Sequence, residues 1–96
     1  MHSHLAFLIG ECLNEHRHKL DITQKQMAKD LGISAQFLGR IEKGDVMAPR
    51  TVLIDALLML NVSNSKITKI YKESAQKTAD ELIKKMGRRT KKKKSV

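Results

Sequence analysis

Gly39 and Arg40 follow Gln36 by three and four residues in the middle of the chain, and none of the three belongs to an apolar core. The Gln36 amide can donate and accept hydrogen bonds in one plane, which suits the N6 and N7 atoms of adenine. The Arg40 guanidinium suits guanine O6 and N7, or a phosphate. Gly39 inside a helix costs roughly 1 kcal/mol relative to alanine. Either close approach of a partner to the backbone or a crowded packing site would explain that cost.

Other reactive side chains form no pattern typical of catalysis or metal binding. The histidines are His2, His4, His16 and His18, and residues two apart on a helix do not share a face. No carboxylate or thiol set completes a zinc site around them. Cys12 stands alone and is interpreted as a half-buried structural residue. Because no nucleophile, base and orienting group fall together, we expect no enzymatic activity, no metal and no cofactor.

Residues 23–44 must position this polar face, and their pattern predicts two short helices joined by a sharp turn. Thr23 begins a capping box, and Gly32 lies where the first helix must end. Ser34 then caps a second helix, which Gly44 closes. The unit is therefore a helix, a turn and a helix within twenty-two residues.

The remaining segments also have helical spacing, so we expect an all-α fold of five helices. A first helix is predicted over 3–18, and a fourth over 49–60 that is hydrophobic nearly all round, as a buried helix would be. A longer last helix is predicted over 66–86. The predicted organisation is a domain over 1–63, a C-terminal helix within 64–87 and a disordered basic tail over 88–96.

Positive charge is concentrated at the carboxyl end of the chain. The formal net charge is +9, yet residues 1–83 contain eleven Lys or Arg against ten Asp or Glu. Residues 84–96 contain eight basic residues and no acid. Such a tail is either a solvated end or a source of sequence-independent affinity for nucleic acid. The lone cysteine and the lack of a long apolar run favour a cytoplasmic protein.

The helix-turn-helix segment and the helix before it resemble the phage repressor and Cro family, also called the Xre family. The resemblance extends from about Ile9 to Val62. The matching motifs are Ile9-Gly10-Glu11-Cys12-Leu13-Asn14-Glu15-His16-Arg17, Met27-Ala28, Leu31-Gly32-Ile33, Leu38, Ile41-Glu42 and Gly44. The resemblance implies a phage-repressor-like fold and a buried ion pair between Arg17 and Glu42.

The same resemblance implies a second helix that enters the DNA major groove. Its implied base contacts are Ala35, Gln36, Phe37, Gly39 and Arg40. The expected phosphate contacts are Gln24, Lys25, Ser34, Lys43 and Arg50, and they would set the register without reading sequence.

The function expected from these patterns is sequence-specific regulation of transcription by a bacterial or phage-encoded, nucleoid-associated protein. Family members usually bind palindromes as dimers, so we expect a homodimeric repressor on double-stranded DNA. The dimer contact is predicted at Ile67, Ile70, Tyr71 and Leu82 of the last helix. Two alternatives remain: an antitoxin that represses its own operon and binds a protein partner, and a protein-interaction adaptor with this fold.

Overall fold

Five α-helices account for most of residues 3–85, the part of the chain that the computed structural model describes. No strand occurs within these residues, so the predicted all-α class is confirmed. The helices are α1 (His4–Lys19), α2 (Gln24–Leu31), α3 (Ala35–Glu42), α4 (Arg50–Met59) and α5 (Asn64–Lys85). No helix of the described chain is long and apolar enough to cross a membrane.

Hydroxyl side chains begin the first three helices, as the sequence predicts. The hydroxyls of Ser3, Thr23 and Ser34 each accept a hydrogen bond, at 3.0 Å, from the backbone N–H three residues further on. Gly32 ends α2 in the left-handed conformation, with φ of 74°. The turn between α2 and α3 is therefore encoded locally, by one glycine and one serine.

The core lies between α1, α2 and α3 and is closed by one face of α4. Its fully buried large side chains are Leu13, Met27, Leu38 and Ile41. From α4, Leu53 and Ala56 are buried. Ile54 and Leu58 are 47% and 75% exposed, so the prediction of a helix buried all round is wrong.

Two glycines allow α1 to lie directly against α3 and the residues that follow it. A Cβ on Gly10 would collide with the carbonyl oxygen of Ile41 and lie 2.8 Å from that of Glu42. Gly44 has φ of 82°, and a Cβ there would lie 2.8 Å from Cα of Phe7. These contacts fix the position of α3 relative to α1.

The first half of α5 packs on its own domain. Ile70 is buried and Ile67 is half-buried against the core. With α1 and α4 they line a small apolar cavity of about 10 Å³. Beyond Ser74, every residue of α5 to Lys85 is exposed. Ile67 and Ile70, expected at a dimer contact, are thus occupied within the chain. Tyr71, also expected there, lines the same cavity and is 43% exposed, and Leu82 is 54% exposed.

The tail predicted over 88–96 lies outside the described residues, as does His2.

Candidate nucleic-acid interface

The outward face of α3 presents Gln36 and Arg40 side by side. Both side chains are exposed and lie four residues apart, so they share one side of the helix. Gly39 is half-exposed between them. Ala35 and Phe37 are half-buried and pack against the core, which leaves only part of each for a partner. Of the five predicted base contacts, Gln36 and Arg40 are therefore the most available.

The side chain of Gln24, at the start of α2, lies over Gly39. A Cβ on Gly39 would be 3.5 Å from Gln24 Nε2 and 3.6 Å from its Oε1, which are ordinary van der Waals distances. The packing within the chain therefore does not require glycine at position 39. A crowded packing site is therefore excluded as the reason for glycine at position 39. Close approach of a partner to the backbone remains as the reason.

A buried charged network lies beneath this surface. Arg17 Nε donates to Glu42 Oε2 at 2.7 Å, and Arg17 Nη2 donates to Glu42 Oε1 at 3.0 Å. The two side chains are only 8% and 3% exposed. Arg17 Nη1 also donates to the carbonyl oxygen of Ile22 at 2.9 Å, which ties the loop before α2 to α1. The ion pair that the family resemblance implies is thus present, with bidentate geometry.

Two amides complete the network at the Glu42 carboxylate. Asn14 Nδ2 and Gln24 Nε2 each donate to Glu42 Oε1 at 3.0 Å. The carboxylate at the end of α3 therefore binds side chains of both α1 and α2. The hydrogen bond from Gln24 also holds its amide in place over Gly39.

Asn14 is a site residue that the sequence reasoning missed. It precedes Arg17 by three residues on α1, so the two side chains lie on the same face. That spacing, together with the expected Arg17–Glu42 pair, was the signal available in the sequence.

Burial and hydrogen bonding act in opposite directions on the pKa of Glu42. Burial of the carboxyl raises the pKa, but hydrogen bonds from Arg17, Asn14 and Gln24, with the charge of Arg17, outweigh it. The pKa is lowered from its ordinary value of 4.5, so the carboxylate is ionised near neutral pH. Asn14 and Gln24 therefore bind a charged acceptor, and such hydrogen bonds are stronger than neutral ones.

The predicted phosphate contacts lie around α2 and α3. Lys25, Lys43 and Arg50 are exposed at the start of α2, the end of α3 and the start of α4. Ser34 is exposed, but its hydroxyl already accepts the N–H of Phe37. Gln24 has one amide hydrogen engaged with Glu42, which leaves its second N–H for a phosphate.

The model of the helix-turn-helix domain family matches residues 8–65, more than half of the chain. The chain belongs to the helix-turn-helix domain family. The matched residues contain most of α1, all of α2 to α4 and the start of α5.

Two proteins are similar to this helix-turn-helix chain. An uncharacterized HTH-type transcriptional regulator, YazB of Bacillus subtilis strain 168, is 34% identical over 62 residues, which are 65% of this chain and 90% of the relative. The crystal structure of the clp gene regulator ClgR from Corynebacterium glutamicum has a TM-score of 0.64. It is 19% identical and aligns over 85% of this chain and 88% of its own, so this likeness concerns the fold.

The buried Cys12 thiol has no base beside it that is free to accept its proton. His16 Nδ1 lies 3.6 Å from Cys12 Sγ, but it also lies 2.8 Å from the Cys12 carbonyl oxygen, to which it donates. Burial raises the pKa of the Cys12 thiol. The thiol therefore stays protonated near neutral pH, and the thiolate needed for nucleophilic chemistry is scarce. Within residues 3–85 no group of three or more His, Cys, Asp or Glu side chains could hold a metal ion.

Proposed function

We propose that this chain is a sequence-specific DNA-binding regulator of transcription of the phage repressor and Cro (Xre) type. The single observation that carries the proposal is the pairing of exposed Gln36 and Arg40 on the outer face of α3. In a helix-turn-helix domain the second helix of the unit enters the major groove, where both side chains can form two hydrogen bonds with a base edge.

The network at Glu42 supports this role because it makes α3 rigid before DNA binds. The carboxylate joins α3 to Arg17 and Asn14 of α1 and to Gln24 of α2. A recognition helix that is already fixed loses little conformational freedom on binding, which favours affinity and selectivity.

Phosphate binding by Lys25, Lys43 and Arg50 positions α3 in the groove. Their side chains are exposed on elements adjacent to α3. Such contacts provide affinity and register, but they carry no direct sequence information. The basic residues of 88–96 add sequence-independent affinity in this proposal.

We further propose that the protein acts as a homodimeric repressor on a palindromic operator. One helix of eight residues contacts few base pairs, so a second copy is needed to define a longer site. Two copies related by a two-fold axis would bind half-sites whose centres lie about 34–36 Å apart, one turn of DNA.

Selection of bound sequences from random DNA tests the proposal. The expected outcome is a palindrome with half-sites one helical turn apart. Gln36→Ala or Arg40→Ala should then lose about 1–3 kcal/mol of discrimination at one position of each half-site. Lys69→Ala, which removes an exposed charge from α5, is the matched control and should leave selectivity unchanged. Unaltered selectivity in both α3 variants would contradict the proposal.

A further inference from the structure

Positive charge is balanced by acids everywhere before α5 and is in excess from α5 onward. Residues 1–63 contain seven Lys or Arg and seven Asp or Glu, so their formal net charge is zero. Helix α5 contains six lysines against three acids. Its first nine residues, 64–72, contain three lysines and no acid. The excess positive charge of the described chain therefore lies on α5 and not on the recognition helix α3.

Helix α1 separates α5 from α3. Gly10, Asn14 and Arg17 meet the end of α3 and follow one another at spacings of four and three residues, so they lie on one side of α1. Ile9 and Cys12 line the small cavity with residues of α5. At 3.6 residues per turn they lie roughly 140° around α1 from the first three. The axes of α3 and α5 are therefore about 15–19 Å apart, since neighbouring packed helices lie roughly 8–10 Å from each other.

The outer face of α5 is polar and basic. Ile67 and Ile70 pack on the domain, and the midpoint of Lys69 and Lys72 lies roughly 160° around the helix from them. Both lysines are exposed. One shallow surface depression is lined by five residues from the start of α5, which we name the α5 basic face: Asn64, Ser65, Thr68, Lys69 and Lys72.

The groups of the α5 basic face suit the phosphates of a DNA duplex. Ammonium, hydroxyl and amide groups are among those with which proteins contact the DNA backbone. The N-terminal end of α5 adds its partial positive charge. No apolar side chain lines the depression, so it lacks the residues that insert into a bilayer or hold an amphipathic peptide. Charge and polarity together favour a nucleic-acid backbone as the occupant.

We propose that the α5 basic face binds the phosphates of a second DNA duplex while α3 binds the first. Gln36 and Arg40 point away from α1, since the buried residues of α3 lie on its opposite side. Lys69 and Lys72 point away from the domain on the other side of α1. The protein therefore lies between two duplexes and bridges them. The inference goes beyond the proposed function, in which one duplex is bound.

Capture of a second duplex tests the bridge with the full chain. A duplex obtained by site selection is fixed to beads and saturated with protein, free protein is washed away, and a fluorescent duplex of unrelated sequence is added. Lys69→Gln combined with Lys72→Gln should weaken capture roughly 60-fold at about 0.1 M salt, since each phosphate contact contributes about eightfold relative to 1 M salt. The slope of log affinity against log salt should fall by about 1.8.

Lys77→Gln combined with Lys85→Gln is the matched control, because it removes two charges from other sides of the same helix. Both lysines are exposed and lie roughly 110° and 170° around α5 from the midpoint of Lys69 and Lys72. The control should lose far less capture, and the charge of 86–96 is the same in every variant. Selectivity for the first duplex should persist in both pairs, because phosphate contacts carry no direct sequence information. Circular dichroism checks that the variants fold.

Four results would overturn the second duplex site. Wild-type protein that captures no second duplex would remove it, and capture that survives Lys69→Gln with Lys72→Gln would place the contact elsewhere. Equal loss in the two lysine pairs would mean that net charge, and not this face, is responsible. Binding of phosphatidylglycerol vesicles without capture of DNA would assign the face to a membrane surface.

The proposed function can fail independently of the second duplex site. A protein that bridges duplexes but selects no sequence would contradict reading of bases by α3 and leave the α5 basic face in place. A protein that selects an operator through Gln36 and Arg40 but captures no second duplex would leave the proposed function in place.

Discussion

Gly39→Ala should stabilise the protein and weaken its binding to DNA. Gly39 lies inside α3, where glycine costs roughly 1 kcal/mol relative to alanine. The new Cβ would meet only the Gln24 amide, at 3.5 Å and 3.6 Å, and would displace no backbone. The folded chain can therefore accept the methyl group, whereas a DNA base edge close to the helix backbone cannot.

The expected gain in the free energy of unfolding is about 0.5–1 kcal/mol. For a domain of this size, 1 kcal/mol corresponds to a rise in the melting temperature of roughly 4–8 °C. Urea unfolding followed by circular dichroism measures the first quantity, and a thermal scan measures the second. Fluorescence anisotropy with a selected operator and with unrelated DNA measures binding.

The loss of affinity should be larger for the operator than for unrelated DNA, because base edges in the groove approach α3 most closely. Gly10→Ala is the matched control, since it adds the same methyl group to a helix interior. There the Cβ collides with the Ile41 carbonyl oxygen, and overpacking typically costs 1–3 kcal/mol. The same substitution should therefore lower stability at position 10 and raise it at position 39.

Two results would refute the reasoning about Gly39. A less stable Gly39→Ala protein would mean that the glycine serves the packing of the chain after all. A stabilised variant with unchanged operator affinity would mean that the backbone at position 39 does not approach DNA.

Further predictions concern the buried network and the phosphate contacts. Arg17→Met should lower the free energy of unfolding by about 3–5 kcal/mol, because the carboxylate of Glu42 stays buried without its cation; a loss below about 1 kcal/mol in urea unfolding would contradict this. The lowered pKa of Glu42 contributes stability that is present above pH 4.5, the ordinary value, and is lost as pH falls through the lowered pKa. Urea unfolding midpoints measured from pH 7 to pH 3 should fall less in Glu42→Gln than in the wild-type protein. Parallel pH curves for the two proteins would refute this. Lys43→Ala should weaken binding equally on all DNA sequences and reduce the salt slope by about 0.9, the value for one phosphate contact. Deletion of 88–96 should flatten the same slope further if the tail binds DNA, and an unchanged slope would remove it from the interface.

Local sequence signals were sufficient for the helices and for the turn that orients α3. Ser3, Thr23 and Ser34 mark the helix starts by satisfying backbone N–H groups within three residues, and Gly32 provides the left-handed turn. Helical spacing likewise predicted five helices, whose first residues lie within two positions of those observed. These features depend on contacts between near neighbours in the chain, which a sequence displays directly.

Tertiary structure decided which faces of those helices are free. Apolar composition predicted that α4 is buried all round, but α4 packs along one face and leaves Leu58 exposed. Spacing along α5 gave no way to separate Ile70, which packs on its own domain, from Leu82, which extends beyond it. Burial depends on which distant elements meet, and periodicity within one helix does not contain that information.

The sequence by itself determined that a helix-turn-helix unit would present Gln36 and Arg40 on one face of α3. Only the folded chain brought Asn14, Arg17 and Gln24 from two other helices onto the carboxylate of Glu42. It also shows that Gly39 has room for a Cβ. The physical reason is that helix-face chemistry follows from residue spacing, whereas the network and the free space follow from how three helices pack together.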